Sequence, residues 1–183
     1  GFINNGKEYI FAVNKDYKTP AVWSNVLSNK FFGSIVTENM SDSTWCKNSR
    51  LNRLTTWNNN MVQNYPSEIF YIYDNNKNRM WSLNSGVLPN NNYYYITYGF
   101  GYAKYRNITD GILQETNIFI PSNEKIKITD VRLKNIYDEE RNLNIIFYST
   151  IVLGEDEFKT NKNIKLQYEE NSNIFSKLPL TVQ

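Results

Sequence analysis

The residues best suited to chemistry lie close together between Ser43 and Asn60, in the order S-T-W-C-K-N-S-R-L-N-R-L-T-T-W-N-N-N. Two tryptophans and two arginines are interspersed with asparagines, and the only aliphatic residues are two leucines. Aromatic faces can stack on the C–H faces of a sugar ring, and arginine and asparagine supply directional hydrogen bonds to hydroxyl groups. The stretch therefore predicts a concave polar binding site. Its candidate residues are Trp45, Asn48, Arg50, Asn52, Arg53 and Trp57.

Two other interpretations of this stretch stay open at the level of sequence. The tryptophans could anchor the core while Arg50 and Arg53 cover the edge of a sheet. The same arginines could also contact phosphate or nucleic acid. Asp42 is the carboxylate beside the stretch, and we expect it to be a solvated loop residue rather than an acid that protonates a leaving group.

Composition argues against several other classes of site. The chain has no histidine, which is the commonest metal ligand and the usual general base near pH 7. Its single cysteine, Cys46, can form neither an internal disulfide nor a cysteine zinc cluster. No metal or cofactor is therefore assigned, and neither a histidine base nor a histidine-activated thiol nucleophile is available. The 20 basic and 18 acidic residues nearly cancel, and no apolar run reaches the roughly 20 residues of a membrane helix, so we expect neither a nucleic-acid nor a membrane partner.

Short strand-forming segments must hold the polar stretch in place. The chain is rich in tyrosine (14) and phenylalanine (10), a composition typical of β-structure. Runs of β-branched and aromatic residues predict strands at 8–13, 31–37, 93–98, 101–105 and 111–121. Residues 69–82 predict a hairpin around an Asn/Asp turn. No helix of ten or more residues is predicted.

The alternation of apolar residues changes phase before the last long strand. Ile126 and Ile128 alternate with lysines, while Val131 and Leu133 alternate with basic residues one position out of phase. A β-bulge near Thr129–Asp130 would bring both pairs to the same face of a sheet. We therefore expect a bulge at this point.

The remaining pattern completes the predicted fold. Residues 143–153 predict one long apolar strand that ends at Gly154. Charge rises and apolar content falls after Gly154, so this end is expected to be exposed or to lack partner strands. The number of short strands favours an all-β fold, an antiparallel β-sandwich that forms a single domain over residues 1–183.

The polar stretch also resembles the signature of a known family. The order W-x-x-N-S-R-x-N-R-L-T-x-W-x-N, from Trp45 to Asn59, is similar to a segment in the N-terminal region of glycoside hydrolase family 94 phosphorylases. The resemblance is strongest to the branch acting on β-1,2-glucans, together with the related part of cyclic β-1,2-glucan synthases. Further motifs follow the family's order: N-G-K-E-Y at 5–9, T-P-A-V-W-S-N-V at 19–26, F-G at 32–33, P-S-E at 66–68, M-W-S at 80–82, G-F-G-Y at 99–102 and V-L-G at 152–154.

This chain departs from the family's motifs in two places. The family often has W-S-N-D-P where Trp57 here leads into three asparagines. It often has histidine before G-F-G-Y, where Tyr98 stands here. The first departure bears on the rigidity of the segment after Trp57.

The resemblance implies a fold and an activity for the parent protein. The family's N-terminal domain is a β-sandwich of the galactose-mutarotase-like supersandwich type, and an (α/α)6 barrel carries the catalytic aspartate and the phosphate site. This chain is expected to be an incomplete fragment of the sandwich, without the barrel, so the resemblance assigns no catalytic residue to it. The implied reaction is the inverting, cytoplasmic phosphorolysis of β-linked gluco-oligosaccharides, expected to be β-1,2-linked, with inorganic phosphate as co-substrate and α-glucose 1-phosphate as product.

The resemblance also implies partners for the polar stretch: an oligosaccharide, the catalytic barrel of the same or a neighbouring subunit, and a second subunit in a homodimer. In that setting Arg50 and Arg53 are expected to contact hydroxyl groups or to lie beside phosphate. Asn48 and Asn52 would orient the arginines or contact sugar, and the two tryptophans would be stacking platforms or anchors. The alternative is a stand-alone carbohydrate-binding β-sandwich without catalysis.

Overall fold

The computed structural model describes residues 1–58, 60, 62, 64–160, 164–169 and 174–179. Its elements in chain order are β1 (Phe2–Ile3), β2 (Glu8–Val13), β3 (Ser24–Ser28), β4 (Phe32–Thr37), β5 (Met40–Cys46), β6 (Arg53–Thr55), β7 (Glu68–Asp74), β8 (Arg79–Ser82), β9 (Tyr94–Gly99), β10 (Tyr102–Thr109), β11 (Ile112–Phe119), β12 (Ile128–Asn135), β13 (Leu143–Ser149), β14 (Ile151–Gly154), α1 (Glu157–Thr160), β15 (Ile164–Glu169) and β16 (Ile174–Pro179).

The described strands form antiparallel sheets, which confirms the predicted all-β class. A six-stranded sheet has the order β1-β2-β9-β10-β11-β12, a five-stranded sheet the order β14-β6-β5-β4-β3, and a three-stranded sheet the order β13-β7-β8. Beyond Gly154 the chain forms α1 and a separate two-stranded sheet, β15-β16. In the described part of the chain no helix is long and apolar enough to cross a membrane.

Tight turns connect neighbouring strands of the six-stranded sheet. Asp110 and Gly111 link β10 to β11 and have φ angles of 47° and 78°. Two successive residues with positive φ form the turn whose twist matches the two strands of a hairpin. An Asp-Gly pair suits this turn because aspartate tolerates the left-handed region and glycine has no Cβ to clash there.

The core lies between the six-stranded sheet and the two sheets that cover it. Side chains along β10 and β11 alternate between buried and more exposed positions, as expected when one face of a sheet is covered. The Tyr105 hydroxyl donates to the Thr37 carbonyl at 2.7 Å, and the Trp81 indole donates to Gln114 Oε1 at 3.0 Å. These bonds join the layers across the core. Its buried apolar residues include Val13, Leu27, Phe32, Val36, Met40, Ile72, Tyr94, Ile96, Ile112 and Ile118.

The bulge predicted near Thr129–Asp130 is absent. Strand β12 pairs with β11 from Ile128 to Asn135 with no shift in register. Ile126 lies before the strand begins and is half exposed. Its alternation with the neighbouring lysines is therefore not part of the pleat, and no extra residue is needed to correct the phase.

The single long strand predicted at residues 143–153 is two strands in different sheets. Strand β13 pairs with β7, whereas β14 pairs with β6. The chain crosses between the sheets at Thr150, whose N–H donates to the Ser67 carbonyl at 2.9 Å and whose carbonyl accepts from the Thr56 N–H at 3.0 Å. An apolar run cannot reveal such a crossing because both halves have the same composition.

Candidate functional site

Residues 43–55 form a β-hairpin rather than a continuous polar loop. Its first residues complete β5, residues 53–55 form β6, and the connection at 47–52 forms the tip. The Cys46 N–H donates to the Asn52 carbonyl at 3.0 Å, which closes the tip. The candidate residues are thereby divided between the two strands, the tip and the segment after β6.

Trp45 packs against the sheet at a place where only glycine fits. It lies opposite Gly33 in the β4–β5 register. A Cβ added at Gly33 would lie 2.3 Å from the Trp45 ring, which is far inside van der Waals contact. The half-buried indole therefore covers Gly33, an arrangement that favours the role of an anchor over that of a stacking platform.

The two candidate asparagines shape the tip. Asn48 Oδ1 accepts the N–H groups of Arg50 at 2.9 Å and Leu51 at 2.8 Å, a side-chain turn typical of asparagine. The Asn52 N–H donates to the Asn48 carbonyl at 3.1 Å. The Asn48 carboxamide oxygen thus supports the backbone, so Asn48 sets the direction of the arginines through the turn that it forms.

The two arginines and Trp57 come together at the surface, with a partner that sequence reasoning missed. The Arg53 guanidinium lies 5.5 Å from the centre of the Trp57 ring, and its Nε donates to the Ser49 carbonyl at 3.0 Å. Arg50 pairs with the Glu155 carboxylate at 3.5 Å. The Arg50 side chain is 78% exposed, and an ion pair at such a surface contributes at most about 1 kcal/mol. A ligand could therefore displace Glu155 at little cost.

Asp42 is not the solvated loop residue that the sequence predicts. It lies within β5, is only 6% exposed, and its Oδ1 has no hydrogen-bond partner among the described residues. Burial raises the pKa of this carboxyl to about 6, although a hydrogen bond from the Trp57 side chain acts in the opposite direction. The carboxylate lines a pocket of about 120 Å³ whose other walls are Val22, Ser24, Ile35, Thr37, Trp57, Asn58, Asn60 and Asn64.

A second buried carboxylate lies beside this pocket. Glu38 accepts hydrogen bonds from the Trp23 N–H at 3.1 Å and from Asn64 Nδ2 at 2.9 Å, and burial raises the pKa of its carboxyl. It lines a cavity of about 330 Å³ that shares Val22 and Asn64 with the Asp42 pocket. The T-P-A-V-W segment at 19–23 thus contributes both a cavity wall and a backbone donor.

A buried ion pair holds the neighbouring strands together. Lys127 Nζ lies 2.6 Å from both carboxylate oxygens of Glu68 and also donates to Thr44 Oγ1 at 2.7 Å and Ser41 Oγ at 3.2 Å. Burial lowers the pKa of the lysine, and the charge of Glu68 acts in the opposite direction. Because the ammonium has several close partners, we assign it a structural role.

The site has two parts of opposite charge on either side of Trp57. The outer part holds Arg50 at the hairpin tip and Arg53 at the start of β6, and the buried part holds Asp42. Among the residues that the structure describes, no three acidic or cysteine side chains form a group that could hold a metal ion. Hydrogen-bond donors and acceptors beside an aromatic ring suit the binding of a polyhydroxyl ligand.

Comparison of the chain with models of protein families shows which family it belongs to. The model described as the supersandwich domain of glycosyl hydrolase 94 matches residues 7–181 of the chain. The chain belongs to glycosyl hydrolase family 94. The resemblance found in the sequence motifs is thereby confirmed, and the antiparallel sheets of this family 94 domain are consistent with a supersandwich.

The relatives of this family 94 domain include phosphorylases and a glucan synthase. The chain is 26% identical over 150 residues to an N,N'-diacetylchitobiose phosphorylase of Vibrio furnissii, across 80% of the chain and 18% of the relative. It is 25% identical over 173 residues to the cyclic beta-(1,2)-glucan synthase NdvB of Rhizobium meliloti (strain 1021), across 94% of the chain and 6% of the relative. A second N,N'-diacetylchitobiose phosphorylase, from Vibrio proteolyticus, is 26% identical over 146 residues. The chain spans 18% or less of the length of each relative.

Proposed function

We propose that this supersandwich domain serves a glycoside phosphorylase and that its β5–β6 hairpin faces an oligosaccharide at the edge of the active site. The observation that carries the proposal is that the Arg53 guanidinium lies over the exposed Trp57 ring and that Arg53 and Arg50 both contact Glu155. Guanidinium groups bind paired hydroxyl or phosphate oxygens, and the neighbouring indole offers an apolar face to a sugar ring. Asn48 and Asn52 support the same tip.

The proposed reaction belongs to the parent protein. Inorganic phosphate attacks the anomeric carbon of a β-linked gluco-oligosaccharide while an acid protonates the leaving oxygen, and the configuration inverts. The acid and the phosphate site lie in an (α/α)6 barrel of the same or a neighbouring subunit of a homodimer, in the cytoplasm. The names of the relatives support a carbohydrate substrate, and the name of the Rhizobium relative supports a β-1,2 linkage.

The test uses the intact protein that contains this chain. It is mixed with phosphate and, in parallel, with sophorose, longer β-1,2-glucans, cellobiose or N,N'-diacetylchitobiose. The measurement is the sugar 1-phosphate released and the configuration of its anomeric carbon. We expect α-glucose 1-phosphate from the β-1,2-linked substrates. Release from chitobiose alone would overturn the proposed linkage, and release from no substrate would overturn the reaction.

A further inference from the structure

One oxygen of the Asp42 carboxylate lies in a buried position without a hydrogen-bond donor among the described residues. Its Oδ1 accepts no hydrogen bond from any described residue, although the residue is only 6% exposed. A buried acceptor without a donor costs about 1–3 kcal/mol, and more when it is charged. Such a cost points to a partner outside the fold, such as a bound water, ion or ligand.

The surroundings of Asp42 show what kind of donor would fit. The pocket of about 120 Å³ is lined by Asp42, one indole, three asparagines and otherwise small or aliphatic residues. Its volume is well above the roughly 10–15 Å³ that a single water needs. The other described lining residues are uncharged, so the pocket offers no cationic side chain to pair with the carboxylate.

The walls of the pocket are fixed by bonds to the rest of the fold. Asn64 Nδ2 donates to Thr37 Oγ1 at 3.2 Å and to Glu38 Oε1 at 2.9 Å, while its carbonyl accepts from Asn39 Nδ2 at 3.0 Å. Trp57, which is 41% exposed, donates a hydrogen bond to Asp42. A site held in this way is organised before any ligand arrives.

We propose that this pocket is a sugar subsite in which Asp42 accepts hydrogen bonds from hydroxyl groups of a hexopyranose and Trp57 contacts the ring's C–H face. The larger cavity beside Glu38, about 330 Å³, receives the next sugar unit. The two cavities share Val22 and Asn64, and their combined size suits a disaccharide. The proposal rests on the proposed function, because an oligosaccharide is the ligand of the parent protein.

A sugar fits the pocket better than a metal ion does. Calcium takes about 6–8 oxygen ligands with several carboxylates, and the described residues contain no group of three or more acidic side chains that could hold a metal. Hydroxyl groups need only acceptors and donors placed side by side. The Asp42 carboxylate and the amide oxygen of Asn64 supply acceptors, and the amide of Asn58 supplies donors.

The first experiment measures sugar binding by the 183-residue chain itself, with glucose and sophorose as probes and backbone amide NMR shifts as readout. Saturable shifts are expected at Asp42, Trp57 and Asn64. Asp42→Asn should weaken binding by about 10-fold to 100-fold, the loss expected for hydrogen bonds to a charged acceptor. Asp138→Asn, the same change at an exposed position, should leave affinity unchanged. Absence of saturable shifts, or equal affinity in both variants, would overturn the proposal.

A second measurement needs no substitution. Hydrogen bonds from sugar hydroxyls stabilise the ionised carboxylate, so saturating sophorose should lower the pKa of Asp42 below its value of about 6 in the free protein. Glu38 is the neighbouring titratable group, and its carboxyl is followed in the same NMR titration. An Asp42 pKa that does not change when sophorose is added would contradict the sugar subsite. This result does not depend on whether the variants fold.

Failure of the subsite and failure of the proposed function can be told apart. If the intact protein releases glucose 1-phosphate but the chain shows no Asp42-dependent binding, the subsite is wrong and the reaction stands. If the chain binds sophorose through Asp42 but the intact protein releases no sugar phosphate, the subsite stands and the reaction is wrong.

Discussion

Trp57 lies between two groups of opposite charge. The Arg53 guanidinium lies 5.5 Å from the ring centre, and the indole donates a hydrogen bond to the buried Asp42 carboxylate. An indole suits this position because its face attracts a cation while its N–H donates to an anion. The orientation of one side chain therefore links the exposed arginines to the buried pocket.

Replacing Arg53 tests the exposed half of this arrangement. Arg53→Ala in the intact protein should lower kcat/KM for phosphorolysis by roughly tenfold or more, because a charge-assisted contact to the ligand is lost. Arg106→Ala is the control, since Arg106 is an arginine on β10, outside the hairpin, that pairs with Glu115. Thermal unfolding of both variants separates catalysis from stability. An unchanged kcat/KM in a folded Arg53→Ala variant would contradict the proposal.

Replacing Asp42 has a predictable effect on stability. Its pKa in the folded protein, about 6, lies above the ordinary value of 3.8, so the ionised form is disfavoured by folding. This cost is present above pH 6 and disappears as pH falls below about 4. Asp42→Asn should therefore raise the unfolding temperature at pH 7 and leave it nearly unchanged below pH 4. Equal gains at both pH values would show that the carboxyl charge is not the cause.

The β4–β5–β6 unit places the site because β5 carries residues for both of its parts. Asp42 and Trp45 lie on this strand, and the tip that holds Arg50 and leads to Arg53 follows directly. Strand β5 is the middle strand of the five-stranded sheet. A change in its packing should therefore affect the pocket and the tip together.

Substitutions at Gly33 and Trp45 test the packing of β5 on β4. Gly33→Ala places a Cβ 2.3 Å from the indole and should destabilise the protein by about 1–3 kcal/mol, the usual cost of overpacking. A smaller ring should relieve the clash, so Gly33→Ala combined with Trp45→Phe should cost less than the sum of the single changes. The measurement is the free energy of unfolding in denaturant for each member of the cycle. Additive costs would show that the two residues do not conflict.

At the scale of the whole molecule, a buried arginine ties the three-stranded sheet to the six-stranded sheet. Arg141 pairs with Asp74 at the end of β7, and its guanidinium donates to the Asp110 carbonyl in the β10–β11 turn at 2.6 Å. The two charged side chains are 2% and 0% exposed. Burial raises the pKa of Asp74, but hydrogen bonds and the charge of Arg141 outweigh it, and the net pKa is lowered.

Removing Arg141 should be among the most damaging single changes. Arg141→Ala leaves the Asp74 carboxylate buried without its partner, which typically costs about 3–5 kcal/mol. Arg132→Ala is the control, because Arg132 pairs with Asp130 at an exposed position and such pairs contribute at most about 1 kcal/mol. Chemical denaturation of the two variants checks the difference. Similar losses of stability would contradict the structural role assigned to Arg141.

Strand β13 is an exposed apolar strand at the edge of the three-stranded sheet. The side chains of Ile145, Ile146, Phe147 and Tyr148 on β13 are all about half exposed, although Phe147 packs on Phe70 with ring centres 4.7 Å apart. Among the described strands, β13 pairs on one side only, with β7. The sequence predicted an apolar strand here, and the structure shows that its apolar side chains are half exposed on both faces.

The sequence determined the class of the fold and the short-range features that depend on neighbouring residues. Alternating runs gave most of the strands, the Asn/Asp turn between β7 and β8 was found, and the order of the motifs identified the family. Two predictions were wrong: the bulge near Thr129–Asp130 and the single strand at 143–153. The point where a strand begins or changes sheet depends on distant partners, which the local sequence does not show.

Only the tertiary structure decided the surroundings of the site residues. The run S-D-S-T at 41–44 is polar enough to indicate a loop, yet it is buried in β5. Its polar groups are paired in part by Lys127 and by Thr55, whose Oγ1 accepts the Thr44 N–H at 2.9 Å. Glu155 reaches Arg50 from beyond β14. Such pairings join residues far apart in the chain, so local sequence could reveal which groups were present but not which of them would be buried together.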